Sequence, residues 1–174
     1  MKRFAEYFVS ACIALCTLML IGTEARAAEE AVAPPKGSAL ILALAADGVQ
    51  IYACEAKDGG YAWIFKAPEA TLFDSQGLQL GTHFAGPTWK HVDGSALTGE
   101  LVTRADAPEA GAIPWLLLRA KTHAGSGVFS AAEYIRRADT KGGAAPKSPC
   151  NASHAGEQAR MRYSATYQYF SASK

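Results

Sequence analysis

Glycine and proline interrupt this sequence so often after residue 40 that few segments are long enough for a helix. The interruptions fall at Asp47-Gly48, Gly59-Gly60, Gly77, Gly81, Gly86-Pro87, Asp93-Gly94, Gly111, Gly125, Gly127 and Gly142-Gly143. Most segments between them have the length of a β-strand and are rich in β-branched and aromatic residues. We therefore predict an all-β fold, a single-domain antiparallel β-sandwich or barrel of about eight to ten strands with at most a short helical turn, near His154–Ala159.

The same pattern places individual strands. Residues 40–54 are predicted to form a first hairpin in which Asp47-Gly48 supplies the turn, because such dipeptides favour tight β-turns. Tyr61–Phe65 is predicted as a second strand that ends at Ala67-Pro68. Pro114–Thr122 is unbroken and rich in leucine, which indicates a strand buried on both faces, with a short helix as the alternative.

The amino-terminal residues have the pattern of a signal peptide. Lys2-Arg3 precedes an apolar stretch at residues 8–22, and Ala25-Arg26-Ala27 ends the segment. A basic start and an A-x-A end predict cleavage between Ala27 and Ala28. The apolar stretch has 15 residues, whereas a bilayer-spanning helix needs roughly 20. We therefore expect no membrane span after cleavage and a periplasmic or secreted location, with an uncleaved anchor as the alternative.

Removal of this predicted signal peptide, residues 1–27, would leave one domain and one pair of cysteines. Residues 28–38 have no periodicity and are predicted as an extended lead-in to a single β-rich domain at residues 39–171. The remaining cysteines are Cys54 and Cys150. In an oxidising compartment two cysteines most simply form a disulfide, and two separate buried thiols are the alternative.

Composition excludes two classes of protein. The chain has 17 Lys plus Arg against 16 Asp plus Glu, a net charge of +1. Without an excess of positive charge or a basic run, nucleic-acid binding is not expected. At 49% hydrophobic residues, the chain is too apolar to be intrinsically disordered.

Several separated motifs occur together along the chain. They are Ala67–Asp74, Gly81–Trp89, Ala112–Leu118, Thr140–Pro146, and Cys150 followed by His154-Ala155-Gly156. With these motifs the chain resembles the DUF3455 family, whose members are secreted bacterial and fungal proteins. The function of this domain family is unknown. The resemblance covers roughly residues 40–170 and implies a single secreted domain without implying a reaction.

The segment Gly81–Trp89 contains the residues most suited to binding a ligand. His83 and Trp89 flank Gly86-Pro87, an interruption that places both side chains at a loop or strand end. An imidazole beside an indole can hold a sugar or another small polar ligand by a hydrogen bond and stacking. We therefore predict His83, Gly86, Pro87 and Trp89 as a binding site. The alternative is that Trp89 is a core residue and His83 is hydrogen-bonded to a nearby carbonyl.

The sequence gives less support for a metal site, a catalytic nucleophile or a phosphate-binding site. The histidines lack the H-x-H and H-x-x-x-H spacings common among metal ligands. The sequence also lacks a nucleophile elbow and a phosphate-binding loop. We predict no catalytic residue, no metal and no cofactor.

The function predicted from these observations is a non-enzymatic module that binds a small molecule or a component of the cell envelope. Two alternatives stay open: an extracytoplasmic enzyme acting on a carbohydrate or cell-envelope substrate, and a structural or stress-related envelope protein without a ligand pocket. Geometry discriminates among the three. An aromatic pocket containing His83 favours binding, convergent carboxylates favour the enzyme, and a filled interior favours the structural protein.

Overall fold

Eight antiparallel strands form the fold in a computed structural model that describes residues 25–172. They are β1 (Leu40–Lys57), β2 (Gly60–Phe73), β3 (Gln79–Phe84), β4 (Thr88–His91), β5 (Ala96–Ala105), β6 (Trp115–Ala124), β7 (Tyr134–Gly142) and β8 (Gln158–Phe170). Each strand pairs with the next along the chain, and β8 pairs with β1, so the sheet closes into a barrel. The all-β prediction is confirmed, and of its two architectures the barrel is the one formed.

The helical content of the described residues is small. Two short 3-10 helices lie outside the strands, at Val128–Ala131 and Ala152–His154. The second overlaps the predicted helical turn only at His154, and β8 already begins at Gln158.

The predicted turn at Asp47-Gly48 is wrong. Both residues lie in the middle of β1, where Gly48 is opposite Ala70 of β2 and Tyr163 of β8. A Cβ atom added to Gly48 would lie 2.5 Å from the Cα of Ala70. Glycine is needed here because two backbones approach closely, which is the other common reason for a glycine inside a strand.

The predicted end of the second strand at Ala67-Pro68 is also wrong, since β2 continues through both residues to Phe73. Proline cannot donate a backbone hydrogen bond and is tolerated where a strand lacks a neighbour on one side. Pro68 meets this condition, because β3 pairs only with Ala70–Phe73 of β2.

The prediction of a strand buried on both faces at Pro114–Thr122 holds for Trp115–Leu118, whereas most of β6 after Leu118 is exposed. Leu118 belongs to the main core inside the barrel, and Leu116 packs against that core. Trp115 and Leu117 point the other way, into a smaller cluster that also contains Ala138. The outer face of β6 and β7 therefore needs a cover.

The segment before β1 supplies that cover. Ala28 and Val32 are buried in the same outer cluster. Residues 25–31 are helical, so the predicted extended lead-in at 28–38 is wrong over its first turn, because docking on an apolar strand surface overrides weak local preference. The predicted signal peptide lies mostly in residues 1–24, outside the described residues, and its cleavage remains a prediction. Within residues 25–172, no helix has the length and apolar character needed to cross a membrane.

Cys54 and Cys150 form a disulfide, with sulfur atoms 1.98 Å apart. It joins β1 to the loop between β7 and β8. The indole N–H of Trp63 donates a hydrogen bond to the carbonyl of Ser148 in the same loop, at 3.0 Å. The predicted pairing is therefore present, and it fastens a long connection to the barrel wall.

Candidate functional site

The barrel wall has an opening between β2 and β5. The intervening strands β3 and β4 have only six and four residues. Pairing of β4 with β5 covers Ala96–Thr98, and the rest of β5 pairs with β6 alone in the described part of the chain. The first ten residues of β2 likewise pair only with β1 among the described residues. Two strand edges thus face each other beyond the tip of the β3–β4 hairpin.

A cavity of about 470 Å³ enters the barrel at this opening. Its exposed mouth is formed by Phe65, Lys66, Gly86, Pro87, Glu100 and Leu101. Its inner wall is formed by Gln50, Pro68, His83, Trp89, Gly99, Leu116, Leu118, Arg137 and Tyr167. The cavity therefore runs from an exposed mouth to buried side chains, several of which belong to the packed core.

The β3–β4 hairpin places His83 and Trp89 side by side. The two residues are directly opposite in the pairing, and their rings stack with centroids 4.4 Å apart and planes 11° from parallel. Gly86 has a φ of 93° in the connecting turn, a backbone conformation that glycine adopts without strain. The Thr88 hydroxyl donates to the carbonyl of Ala85 at 2.8 Å and closes that turn.

Gly99 of β5 makes room for the indole. A Cβ atom at this position would lie 3.1 Å from Trp89 Cζ3 and 3.3 Å from Leu118 Cβ. The backbone N–H of Gly99 donates to the carbonyl of Pro87 at 3.0 Å, so the tip of the hairpin is attached to β5. The edge of the opening is thus held by backbone hydrogen bonds.

His83 is held in one tautomer and is buried. Its Nδ1–H donates to the carbonyl of Thr88 at 2.9 Å, so Nε2 is the ring nitrogen left to accept a hydrogen bond. Burial lowers the pKa of His83 to about 3; the Thr88 hydrogen bond opposes this shift and the charge of Arg137 adds to it. The imidazole is therefore neutral at physiological pH.

Arg137 contributes a positive charge to the inner wall. It lies between Leu116 of β6 and Tyr167 of β8 in the pairing, and both of these neighbours also line the cavity. Its Nε–H and one Nη2–H donate to the carbonyl of Pro114, at 3.2 and 2.8 Å. Two of the five guanidinium N–H groups are thereby used, and the other three have no partner within residues 25–172.

Two other buried donors lie in the cavity wall. The indole nitrogen of Trp89 has no hydrogen-bond partner in the described structure, and the side chain is 1% exposed. The amide nitrogen of Gln50, 2% exposed, has no partner of normal geometry there, although the Tyr163 hydroxyl is close to that side chain. Burial raises the pKa of Tyr163, so this hydroxyl stays protonated.

The structure brings all four predicted binding residues to one cavity, with His83 and Trp89 inside and Gly86 and Pro87 at the mouth. It also contains the features of the alternative, since Trp89 belongs to the core and His83 is bonded to a carbonyl. That these residues bind a ligand stays a prediction.

Sequence reasoning missed Gln50, Phe65, Leu101, Arg137 and Tyr167. Their approach to the hairpin depends on closure of the barrel, which no local pattern reports. One signal was available for Arg137: in a strand, side chains two apart share a face, and Ile135 is an obvious core residue. That spacing places Arg137 on the inward face.

The geometry gives little support for a metal site or for a glycosidase. Across residues 25–172, no three His, Cys, Asp or Glu side chains are close enough to hold a metal ion. Of the described residues lining the cavity, one is acidic, Glu100, and it is exposed at the mouth. A glycosidase of the usual kind needs two carboxyl groups in one cleft.

Comparison with known proteins gives a family but no activity. Searches of curated proteins and of solved structures found no match. A family model described as "Protein of unknown function (DUF3455)" matches residues 34–171, which include all eight strands, the disulfide and every residue of the cavity wall. The chain belongs to the DUF3455 family.

Proposed function

We propose that this protein binds a small molecule with a ring-bearing, largely apolar body inside the barrel, without transforming it. The observation that carries the proposal is the cavity of about 470 Å³ between β2 and β5. Its volume lies within the range of roughly 300 to 1,000 Å³ that is usual for small-molecule pockets.

The lining supports an aromatic or otherwise flat ligand. Trp89 and Tyr167 form part of the inner wall, with ring centroids 5.7 Å apart. Phe65 and Leu101 stand on opposite edges of the mouth, 49% and 56% exposed. Apolar side chains exposed around a concave opening are typical of ligand-binding grooves.

The two alternative functions are less well supported. An enzyme acting on a carbohydrate would place a second carboxylate near Glu100, and the described cavity wall contains none. A structural protein without a pocket would have a filled interior. The cavity therefore favours binding over both.

We infer further that the protein works outside the cytoplasm, in the periplasm or after secretion. The Cys54–Cys150 disulfide supports this location, because such bonds persist in oxidising compartments. The predicted signal peptide agrees with it. Edman or mass-spectrometric identification of Ala28 as the amino terminus of the exported protein would support this inference, and a cytoplasmic, uncleaved chain would refute it.

The binding proposal is tested with N-phenyl-1-naphthylamine, a neutral aromatic compound whose fluorescence rises in apolar surroundings. We expect saturable binding at one site per molecule. Leu101→Glu places a charge at the apolar mouth and should weaken binding roughly tenfold, the equivalent of about 1.4 kcal/mol of lost apolar contact.

Val102→Glu is the matched control. Val102 is the next residue of β5, is 54% exposed and does not line the cavity. It should leave the affinity unchanged. Absence of binding, or equal loss in both variants, would refute the proposed cavity as the binding site.

A further inference from the structure

We propose that the ligand is an organic carboxylate, and that Arg137 binds its carboxylate group while the aromatic wall holds the rest of the molecule. This inference deepens the proposed binding function and rests on it. On this inference the cavity prefers an anionic ligand to a neutral one, because of the polar groups that line it.

Arg137 reaches the interior of the barrel by strand alternation. Ile135, two residues earlier on β7, is fully buried in the main core, whereas Ala138 belongs to the outer cluster. Burial, and after it the charge of Arg137, lowers the pKa of His83, which lines the same cavity. Arg137 belongs to β7 and His83 to β3, so the guanidinium acts on a group that another strand contributes to the same cavity.

Among residues 25–172 no carboxylate forms an ion pair with Arg137, and Glu100 lies at the exposed mouth of the same cavity. The ion pairs of residues 25–172 are Lys66–Glu55, His91–Asp93, Arg136–Glu29 and Arg160–Glu69. The buried polar side chains in that range are Gln50, His83, Ser95 and Thr140, none of which is acidic. A guanidinium in a pocket of low polarity is stabilised by an anion, and three of its N–H groups have no hydrogen-bond partner among residues 25–172.

Two neighbouring residues of the cavity wall contain buried N–H donors. The buried N–H groups of Trp89 and Gln50 lack acceptors of normal geometry in the described structure. An indole nitrogen can only donate. A carboxylate has several lone pairs, and charge-assisted bonds from arginine to carboxylate are among the stronger and more directional hydrogen bonds in proteins.

The inference is tested with two ligands that have nearly the same shape. 2-Naphthoate is an anion at pH 7, and 2-naphthamide is its neutral counterpart. Each is titrated against bound N-phenyl-1-naphthylamine. We expect naphthoate to displace this compound at a concentration at least roughly tenfold lower than naphthamide.

Arg137→Gln should abolish the preference for naphthoate. Arg136→Gln is the matched control, because Arg136 is adjacent on β7 but is bonded to Gln168 and Glu29 instead of lining the cavity. That variant should keep the preference. If Arg137→Gln fails to fold, the ligand pair on the unaltered protein still tests the charge preference.

The outcomes separate the two proposals. Equal displacement by both ligands, or a preference that persists in Arg137→Gln, would overturn the carboxylate inference while leaving the binding function intact. No binding of N-phenyl-1-naphthylamine would overturn both. Preference for naphthoate that is lost only in Arg137→Gln supports both.

Discussion

Acidification should destabilise this protein through His83. Because burial lowers the pKa of the folded-state imidazole to about 3, and that of an unfolded histidine is about 6.5, the unfolded chain binds a proton that the native state does not. The contribution of the neutral His83 imidazole to the stability of the folded protein is complete above pH 6.5 and is lost as the pH falls toward 3. At about 1.4 kcal/mol per pH unit, the titration of His83 should lower the free energy of unfolding by about 3 kcal/mol between pH 7 and pH 4.

The assay is urea unfolding at pH 7 and pH 4, for the unaltered protein and for His83→Gln. Glutamine can still donate to Thr88 but does not titrate, so the variant should lose about 3 kcal/mol less on acidification. Asp93 also titrates with a lowered pKa, because its carboxylate accepts hydrogen bonds from Ser95 and Val128. That contribution is present in both proteins and cancels. Equal acid sensitivity in the two proteins would show that the imidazole is solvated, and the reasoning would be refuted.

Two further changes test the framework of the barrel. Replacing Cys54 and Cys150 by alanine opens a loop with a sequence separation of 96 residues, and urea unfolding should show a loss of roughly 4 to 5 kcal/mol on the chain-entropy model; a loss below about 1 kcal/mol would contradict it. Gly48→Ala should destabilise by roughly 3 kcal/mol or more, since its Cβ would collide with backbone atoms of β2. In the control Gly60→Ala, the added Cβ would lie 3.7 Å from the Lys57 carbonyl oxygen, so stability should change by less than about 1 kcal/mol. Equal effects of the two substitutions would refute the steric explanation.

The strand pattern was predictable because it depends on local chemistry, and the misplaced turn in β1 shows where local chemistry is ambiguous. The turns at Asp74–Gly77 and Asp93-Gly94 connect adjacent strands, as their sequences indicate. Asp47-Gly48 has an equally good turn sequence but lies inside an 18-residue strand. In β1 the glycine serves contact with β2, and a single sequence does not distinguish a glycine needed for a turn from one needed for a close approach.

In the candidate site, contacts within one hairpin could be predicted from the sequence, whereas contacts across the barrel could not. His83 and Trp89 could be predicted as partners because only a short turn separates them, and the hairpin makes them direct neighbours. Arg137 could be assigned to the inward face by its spacing from Ile135. Its position near His83 could not be predicted, because it depends on how β7 and β3 are placed around a closed barrel.

The entrance of the cavity follows from a mismatch in strand length. β4 has four residues, whereas β5 beside it has ten, so β5 continues past the hairpin without a neighbour on that side in the described residues. A longer hairpin would have filled this part of the wall. The opening is kept in place by the Gly99–Pro87 backbone hydrogen bond and by the Thr88–Ala85 bond within the turn. Since the edges are already ordered, a ligand entering here need not fix a loop, and more of its contact energy remains as affinity.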